Sequence, residues 1–317
     1  MAIMSGPNLA PSARPLPKYP HKGAVPTIGV FVTAPHGIGG MRPLMAALRD
    51  QLGPSDRLVI LDGTSSGAEL DSKTLPKAGR IEIIRNAGES AMHMRCEIGT
   101  MVDTDVIVLL EDHAVPGPRF FATVRDLFAT NPSLAAIKLL GRNDTSVNRW
   151  GWANFLVAFA DCMHPSDAMP KSLLSTSAAL RASALPAGRF ELGAWETVVF
   201  PALNRDPDRL AYSNDVYIDH FESCGAKESL LGNFHNQRSI AAVRVAQGHR
   251  RGKLAARAFK DLGLRRHRQI ARALEDRDER RHVAANRGKL IAIGWAAAFG
   301  AIVGAYFGAG KSMQSMH

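Results

Sequence analysis

Cysteine is scarce. Cys96, Cys162 and Cys224 are the only three, widely spaced and without a CxxC unit, so neither a disulfide framework nor a thiolate zinc site is signalled, and a reducing, cytosolic setting fits best. The first 25 residues hold Pro7, Pro11, Pro15, Pro17 and Pro20 but no apolar run of signal-peptide length. They read as an irregular leader, and secretion is not indicated. No internal repeat is visible. An evenly spread basic surface is lacking too: of the net charge of +10, residues Arg238 to Lys289 hold 16 Lys/Arg against 5 Asp/Glu, which leaves 23 against 24 elsewhere. The body is neutral and one segment is basic, a distribution that suits an anionic membrane surface better than a nucleic-acid groove. That segment also lacks the interleaved aromatics that stack on bases, so no nucleic-acid partner is expected.

What is present suffices for a full core. The chain has 317 residues, 46% of them hydrophobic, enough for one catalytic-sized domain with appendages. Thr27 to Thr33 reads as a first strand, Met41 to Leu52 as a helix with Met41, Leu44, Met45 and Leu48 at helical spacing, and Arg57 to Asp62 as a second buried strand. Strand, helix, strand implies a right-handed βαβ unit. Ile81 to Arg85 is a short third strand, Glu89 to Val102 a helix, Arg119 to Ala129 another, and Ala135 to Leu140 a fifth strand. Gly141 to Met169 reads as irregular and aromatic, and further strands are expected at Ser175 to Leu180 and within Leu210 to His220.

The stretch with the most chemistry is the fourth strand. Val106 to Leu110 are five apolar residues that stop abruptly at Glu111-Asp112-His113, which places two carboxylates and an imidazole at the C-terminal edge of a buried strand, where open α/β sheets keep their ligands. Carboxylate oxygen with imidazole nitrogen suits a divalent cation such as Mn²⁺ or Mg²⁺. A merely acidic strand-to-loop exit is the plain alternative. Asp62 ends the second strand in the same manner and can accept hydrogen bonds from a base or a ribose; the alternative is an ordinary turn acid before Gly63.

Taken in order, these pieces resemble a family 2 glycosyltransferase of the GT-A fold, over roughly Ile28 to Arg244. Leu61-Asp62-Gly63-Thr64-Ser65 is similar to the family's nucleotide-binding Asp-Asp-Gly-Ser segment, although the turn Pro35-His36-Gly37 departs from the family's first loop. Met92-His-Met-Arg95-Cys-Glu-Ile-Gly99 resembles the helix after the third strand, with Arg95-Cys96 in place of the usual Arg-Asn. Leu110-Glu111-Asp112-His113 occupies the place of the Asp-x-Asp metal motif, with His113 where the cation-binding acid ordinarily stands. Ala194-Trp195-Glu196-Thr197 looks like the segment that supplies the catalytic base. Ile218-Asp219-His220 resembles a late metal-facing histidine, and Asn233 to Ser239 sits where the family has a mobile cover over the diphosphate. The resemblance implies an inverting hexosyltransferase of the bacterial membrane-associated type, with a Rossmann-like mixed sheet flanked by helices. It implies Glu196 as catalytic base, with Glu191 as runner-up. It also implies a nucleotide-sugar site of Asp62, Arg95, Glu111, Asp112, Gln237 and Arg238, and a Mn²⁺ or Mg²⁺ site of Asp112, His113 and His220. His235 is a further candidate for phosphate contact, and Trp150, Trp152 and Phe155 for an acceptor platform. The implied partners are a nucleotide sugar donor and a polysaccharide or lipid-linked acceptor. The altered Arg95-Cys96 and His113 positions motivate a rival: a non-catalytic GT-A-like subunit of a polysaccharide assembly complex.

The expected organisation is a leader at 1–25, a GT-A domain at 26–244, a basic amphipathic helical segment at 245–289 and an apolar helix at 290–310. Leu290 to Gly310 runs without a charge, long enough to cross about 30 Å of hydrocarbon. Basic residues precede it, which by the positive-inside rule puts the body at the cytoplasmic face of the inner (plasma) membrane, anchored C-terminally. A helix that lies in the interface or packs on the body is the alternative. Gly300, Gly304 and Gly308 share one face, a small-residue pattern suited to homo-oligomer formation.

Overall fold

The apolar runs of the N-terminal third become adjacent parallel strands. A computed structural model describes residues 25–65, 70, 75–86, 88–143, 149–169, 173, 177–221 and 224–314; the expected leader up to residue 24 lies outside them, as do Ser66, Ser175 and Thr176. In chain order the elements are β1 (Ile28–Ala34), α1 (Arg42–Arg49), β2 (Arg57–Asp62), β3 (Arg80–Arg85), α2 (Ala91–Cys96), α3 (Ile98–Met101), β4 (Val106–Glu111), β5 (Ala114–Pro116), α4 (Phe120–Thr130) and β6 (Ala136–Asn143). There follow α5 (Arg149–Phe159), β7 (Ala178–Arg181), α6 (Phe200–Leu203) and β8 (Leu210–His220). Every residue of β1 and β2 is buried, the mark of strands covered by helices on both faces. One core packs Val30, Val32, Leu44, Leu48 and Phe120 together; the other packs Phe31, Val59, Leu61 and Trp195.

The sheet has eight strands in the order β3-β2-β1-β4-β7-β6-β8-β5. The β3-β2-β1-β4 half is parallel, whereas β7 runs antiparallel to both β4 and β6, and β5 antiparallel to β8. This is the mixed, helix-flanked sheet expected. Only Asp112 and His113 separate β4 from β5, yet these strands sit in the middle and at the far end of the order. The sheet must therefore curl until its last edge meets the tip of β4. Gly141 to Met169, expected to be irregular, contains α5. Phe155 is fully buried, and Trp152 stacks on His282 at a centroid separation of 3.8 Å.

The C-terminal third is helical: α7 (Ala226–Ala246), α8 (Arg251–Ala258), a π-helical stretch at Phe259–Arg265, α9 (Arg266–Ala273), α10 (Arg280–Ala285) and α11 (Arg287–Phe307). Helix α11 is long and apolar enough to cross a bilayer, and half of it is buried against its own chain. The glycine face expected to join two copies is taken up within one. A Cβ on Gly300 would lie 2.1 Å from the Phe234 carbonyl oxygen, and one on Gly304 2.1 Å from that of Arg238, so the two glycines let α11 lie directly on α7. Gly308, at φ 74°, ends the helix instead of extending the stripe.

Gly300→Leu is therefore expected to force the two helices apart at a cost of about 1–3 kcal/mol. Gly288→Ala, at a position with nothing within 4 Å, should leave stability unchanged or slightly raised. Thermal unfolding of the two variants checks this. A change of oligomeric state in Gly300→Leu with unaltered melting would restore the self-association reading.

Candidate functional site

Register places the acids. Asp62 at the end of β2 lies opposite Ala34 of β1, and Glu111 at the end of β4 lies opposite Thr33. Two strand spacings thus separate their backbones at the same sheet edge, roughly 10 Å. The curl of the sheet brings in the third group: β8 pairs with β5 through Ala114 opposite His220, and the Phe221 N–H donates to the His113 carbonyl. His220 Nε2 consequently stands 3.2 Å from Glu111 Oε2, and His113 Nε2 stands 3.8 Å from the same oxygen. The two imidazoles meet edge to face at a centroid separation of 4.5 Å.

Glu111, His113 and His220 offer three ligand atoms within 4.8 Å of one another. Asp112 takes a different place from the ligand role expected of it: its Oδ1 lies 2.7 Å from His113 Nδ1. A carboxylate that accepts the Nδ1 proton leaves Nε2 with its lone pair toward the cluster, the arrangement by which outer carboxylates fix histidine ligands. Burial alone would raise the Glu111 carboxyl, but the His220 hydrogen bond, with the charges of His113, His220 and Arg95, outweighs it and holds the group down at about 2. Glu111 is ionised throughout the neutral range. A hard anionic oxygen beside two imidazoles fits a divalent cation. Asp112 and His113 form the turn between β4 and β5, so strand periodicity carried no signal that sets Asp112 apart from the ligands.

The second part of the site is a buried ion pair. Glu196 lies in a π-helical turn, Trp195–Val199. The Trp195 indole is 2% exposed and donates to the Arg95 carbonyl at 2.9 Å, while Arg95 Nη1 donates to Glu196 Oε1 at 3.2 Å. Arg95 thereby links Glu196 to the cluster, since its charge also acts on Glu111. Glu196 Oε2 is buried and has no hydrogen-bond partner among the described residues. Glu191 lies in the loop ahead of this turn, and its carbonyl accepts from the Ala194 N–H.

The other expected residues are engaged elsewhere. The Asp62 side chain is fully buried; Oδ1 accepts from the Thr64 N–H and Oγ1 at 2.9 and 2.8 Å, and Oδ2 from Arg85 at 3.2 Å. Residues 233–239, expected as a mobile cover, are part of the continuous helix α7. There Arg238 donates to the Gly308 carbonyl at 2.9 Å and His235 meets Ser312 Oγ at 2.8 Å; Gln237 is half-buried on the same helix.

No protein-family model matches the chain, and no curated protein does. Among solved structures it is similar to a mannosyltransferase from Pyrobaculum calidifontis in complex with GDP-Man and Mn²⁺ (15% identity over 96% of this chain and 88% of that one, TM-score 0.47). It is also similar to glucosyl-3-phosphoglycerate synthase from Mycobacterium tuberculosis in complex with Mn²⁺, UDP-glucose and phosphoglyceric acid (15% identity, 64% of this chain, 74% of that one, TM-score 0.43).

Proposed function

We propose that the chain is a metal-dependent inverting glycosyltransferase, which moves a sugar from a nucleotide-diphosphate donor to a polysaccharide or lipid-linked acceptor at the cytoplasmic membrane face. The observation that carries this reading is the Glu111–His113–His220 cluster at the C-terminal edge of the parallel strands, joined through Arg95 to a buried Glu196. A divalent cation held by these three residues supplies positive charge against the oxygen that leaves with the diphosphate. The chain's own groups do the rest. Asp112 keeps His113 turned toward the cluster. Arg95 holds Glu196 in place, and contact of Arg95 with a donor phosphate would release the carboxylate to take the acceptor hydroxyl proton. Position, not an altered pKa, is what such a base requires, and general-base catalysis of this kind gives roughly 10²–10⁴-fold. Membrane association has its support in α11 and the basic helices before it.

One observation favours the non-catalytic reading: the carboxylates of Asp62 and Glu196 are both engaged by arginines of the same chain. Incubation of the purified protein with Mn²⁺ and a panel of nucleotide sugars separates the two. Slow donor hydrolysis with release of a nucleoside diphosphate, lost in Glu111→Ala, is the expected result. Release from none of the donors would leave only a binding subunit.

A further inference from the structure

Charge converges at a second place, unrelated to the acidic strand edge. Helices α9, α10 and α11 enclose a cavity of about 270 Å³ whose walls carry His267, Arg268, Arg280 and Arg287, and whose floor is apolar, with Val283 and Leu290 buried beneath it. Helix α5 separates this cavity from the Glu111 cluster: Phe159 of α5 packs on the His220 ring at 4.9 Å, while Trp152 of the same helix stacks on His282 of α10.

The three arginines of the walls are exposed, and among the described residues their one side-chain hydrogen bond is from Arg280 to the Glu275 carbonyl at 3.5 Å. Arg277 pairs with Glu279, and Arg257 and Arg265 lie beside Asp261, whereas Arg268, Arg280 and Arg287 have no acidic partner among the described residues. Three uncompensated guanidinium groups around one apolar-floored hollow repel each other, an arrangement that an anion relieves. His267 reports the same field. Burial, then the charges of Arg268 and Arg287, push its imidazole below the usual histidine range, and its Nδ1 is buried without a hydrogen-bond partner among the described residues. Arg287 and Leu290 belong to the first turn of α11, so the positive end of a 21-residue helix adds to the potential.

We propose that this cavity binds a phosphate group, held by Arg268, Arg280 and Arg287. A free phosphate and the headgroup of an anionic lipid share that chemistry. The apolar floor distinguishes them, because only the lipid brings carbon to lay against Val283 and Leu290.

The test is calorimetric titration of the full chain with inorganic phosphate and, separately, with dihexanoyl phosphatidate below its micelle concentration. Charge-assisted bonds of this kind are each worth about tenfold or more in affinity. Arg280→Ala/Arg287→Ala is thus expected to weaken binding roughly a hundredfold, while Arg251→Ala/Lys253→Ala on α8, an equal loss of charge outside the cavity, changes it less than about threefold. Unchanged melting temperatures confirm that both variants fold. Phosphatidate at least about tenfold tighter than phosphate identifies a lipid headgroup, and equal affinities identify free phosphate. Binding of neither probe, or equal weakening by the α8 pair, overturns the site. Neither outcome bears on the Glu111 cluster, whose cation binding is measured independently.

Discussion

Arg95→Ala is expected to destabilise the protein by about 3–5 kcal/mol, because it leaves the Glu196 carboxylate buried and without its countercharge. The side chains are 7% and 9% exposed, so water cannot take over the role of the guanidinium. Removing both charges at once, in Arg95→Met/Glu196→Leu, takes away the desolvation cost with the attraction and should be near neutral or stabilising. Denaturant unfolding of the two single variants and the pair gives the coupling energy directly. The same set separates support from catalysis. If Glu196 is the base, Glu196→Gln folds yet loses roughly 10²–10⁴-fold in sugar transfer, and the stable double variant is inactive. Transfer retained by that double variant would reduce the pair to a structural bridge between α2 and the π-helical turn.

The frame of this site was legible in the sequence for a definite reason. Strands β1, β2 and β4 are buried on both faces, so they appear as unbroken apolar runs, and the residues at which those runs stop, Asp62 and Glu111, are the residues that reach one sheet edge. What stayed hidden depends on pairings distant in sequence. The curl that carries His220 to Glu111 comes from the three residues of β5 pairing with the end of β8, and three residues carry no periodic signal. Helix α5 escaped because it is apolar on nearly every side, with Ala153, Phe155, Leu156 and Phe159 all buried, and amphipathic spacing vanishes when no face is left to solvent. The apolar run of α11 reads the same for a spanning helix and for one packed inside a helical layer. The carbonyls of Phe234 and Arg238 against Gly300 and Gly304 show that one face of α11 packs on α7, while Trp295, Phe299, Tyr306 and Phe307 lie outside that contact.

Cation binding tests the other half of the site, and its largest expected effect is at His220. The imidazole is 4% exposed, aimed at Glu111 by the pairing of β8 with β5, and wedged against Phe159, so no neighbouring side chain can swing in to replace it. Titration with Co²⁺, followed by its visible absorption, should show one site in the native protein and none in His220→Ala or Glu111→Ala. Asp112→Asn keeps a hydrogen-bond acceptor next to His113 Nδ1 but loses the charge, and is expected to weaken binding by about 10–100-fold, the usual cost of disturbing a ligand's outer partner. If Asp112→Asn abolished binding as completely as Glu111→Ala, Asp112 would be a ligand and the grouping of Glu111, His113 and His220 without it would fail. The ligand set also fixes preference. Two imidazoles and one carboxylate favour Mn²⁺, Co²⁺ or Zn²⁺ over Mg²⁺, which takes oxygen donors. Excess Mg²⁺ should therefore leave the Co²⁺ spectrum unchanged in the native protein. In His113→Asp, with a second carboxylate in place of an imidazole, Mg²⁺ should displace Co²⁺ more readily, because the exchange shifts the site toward the harder cation.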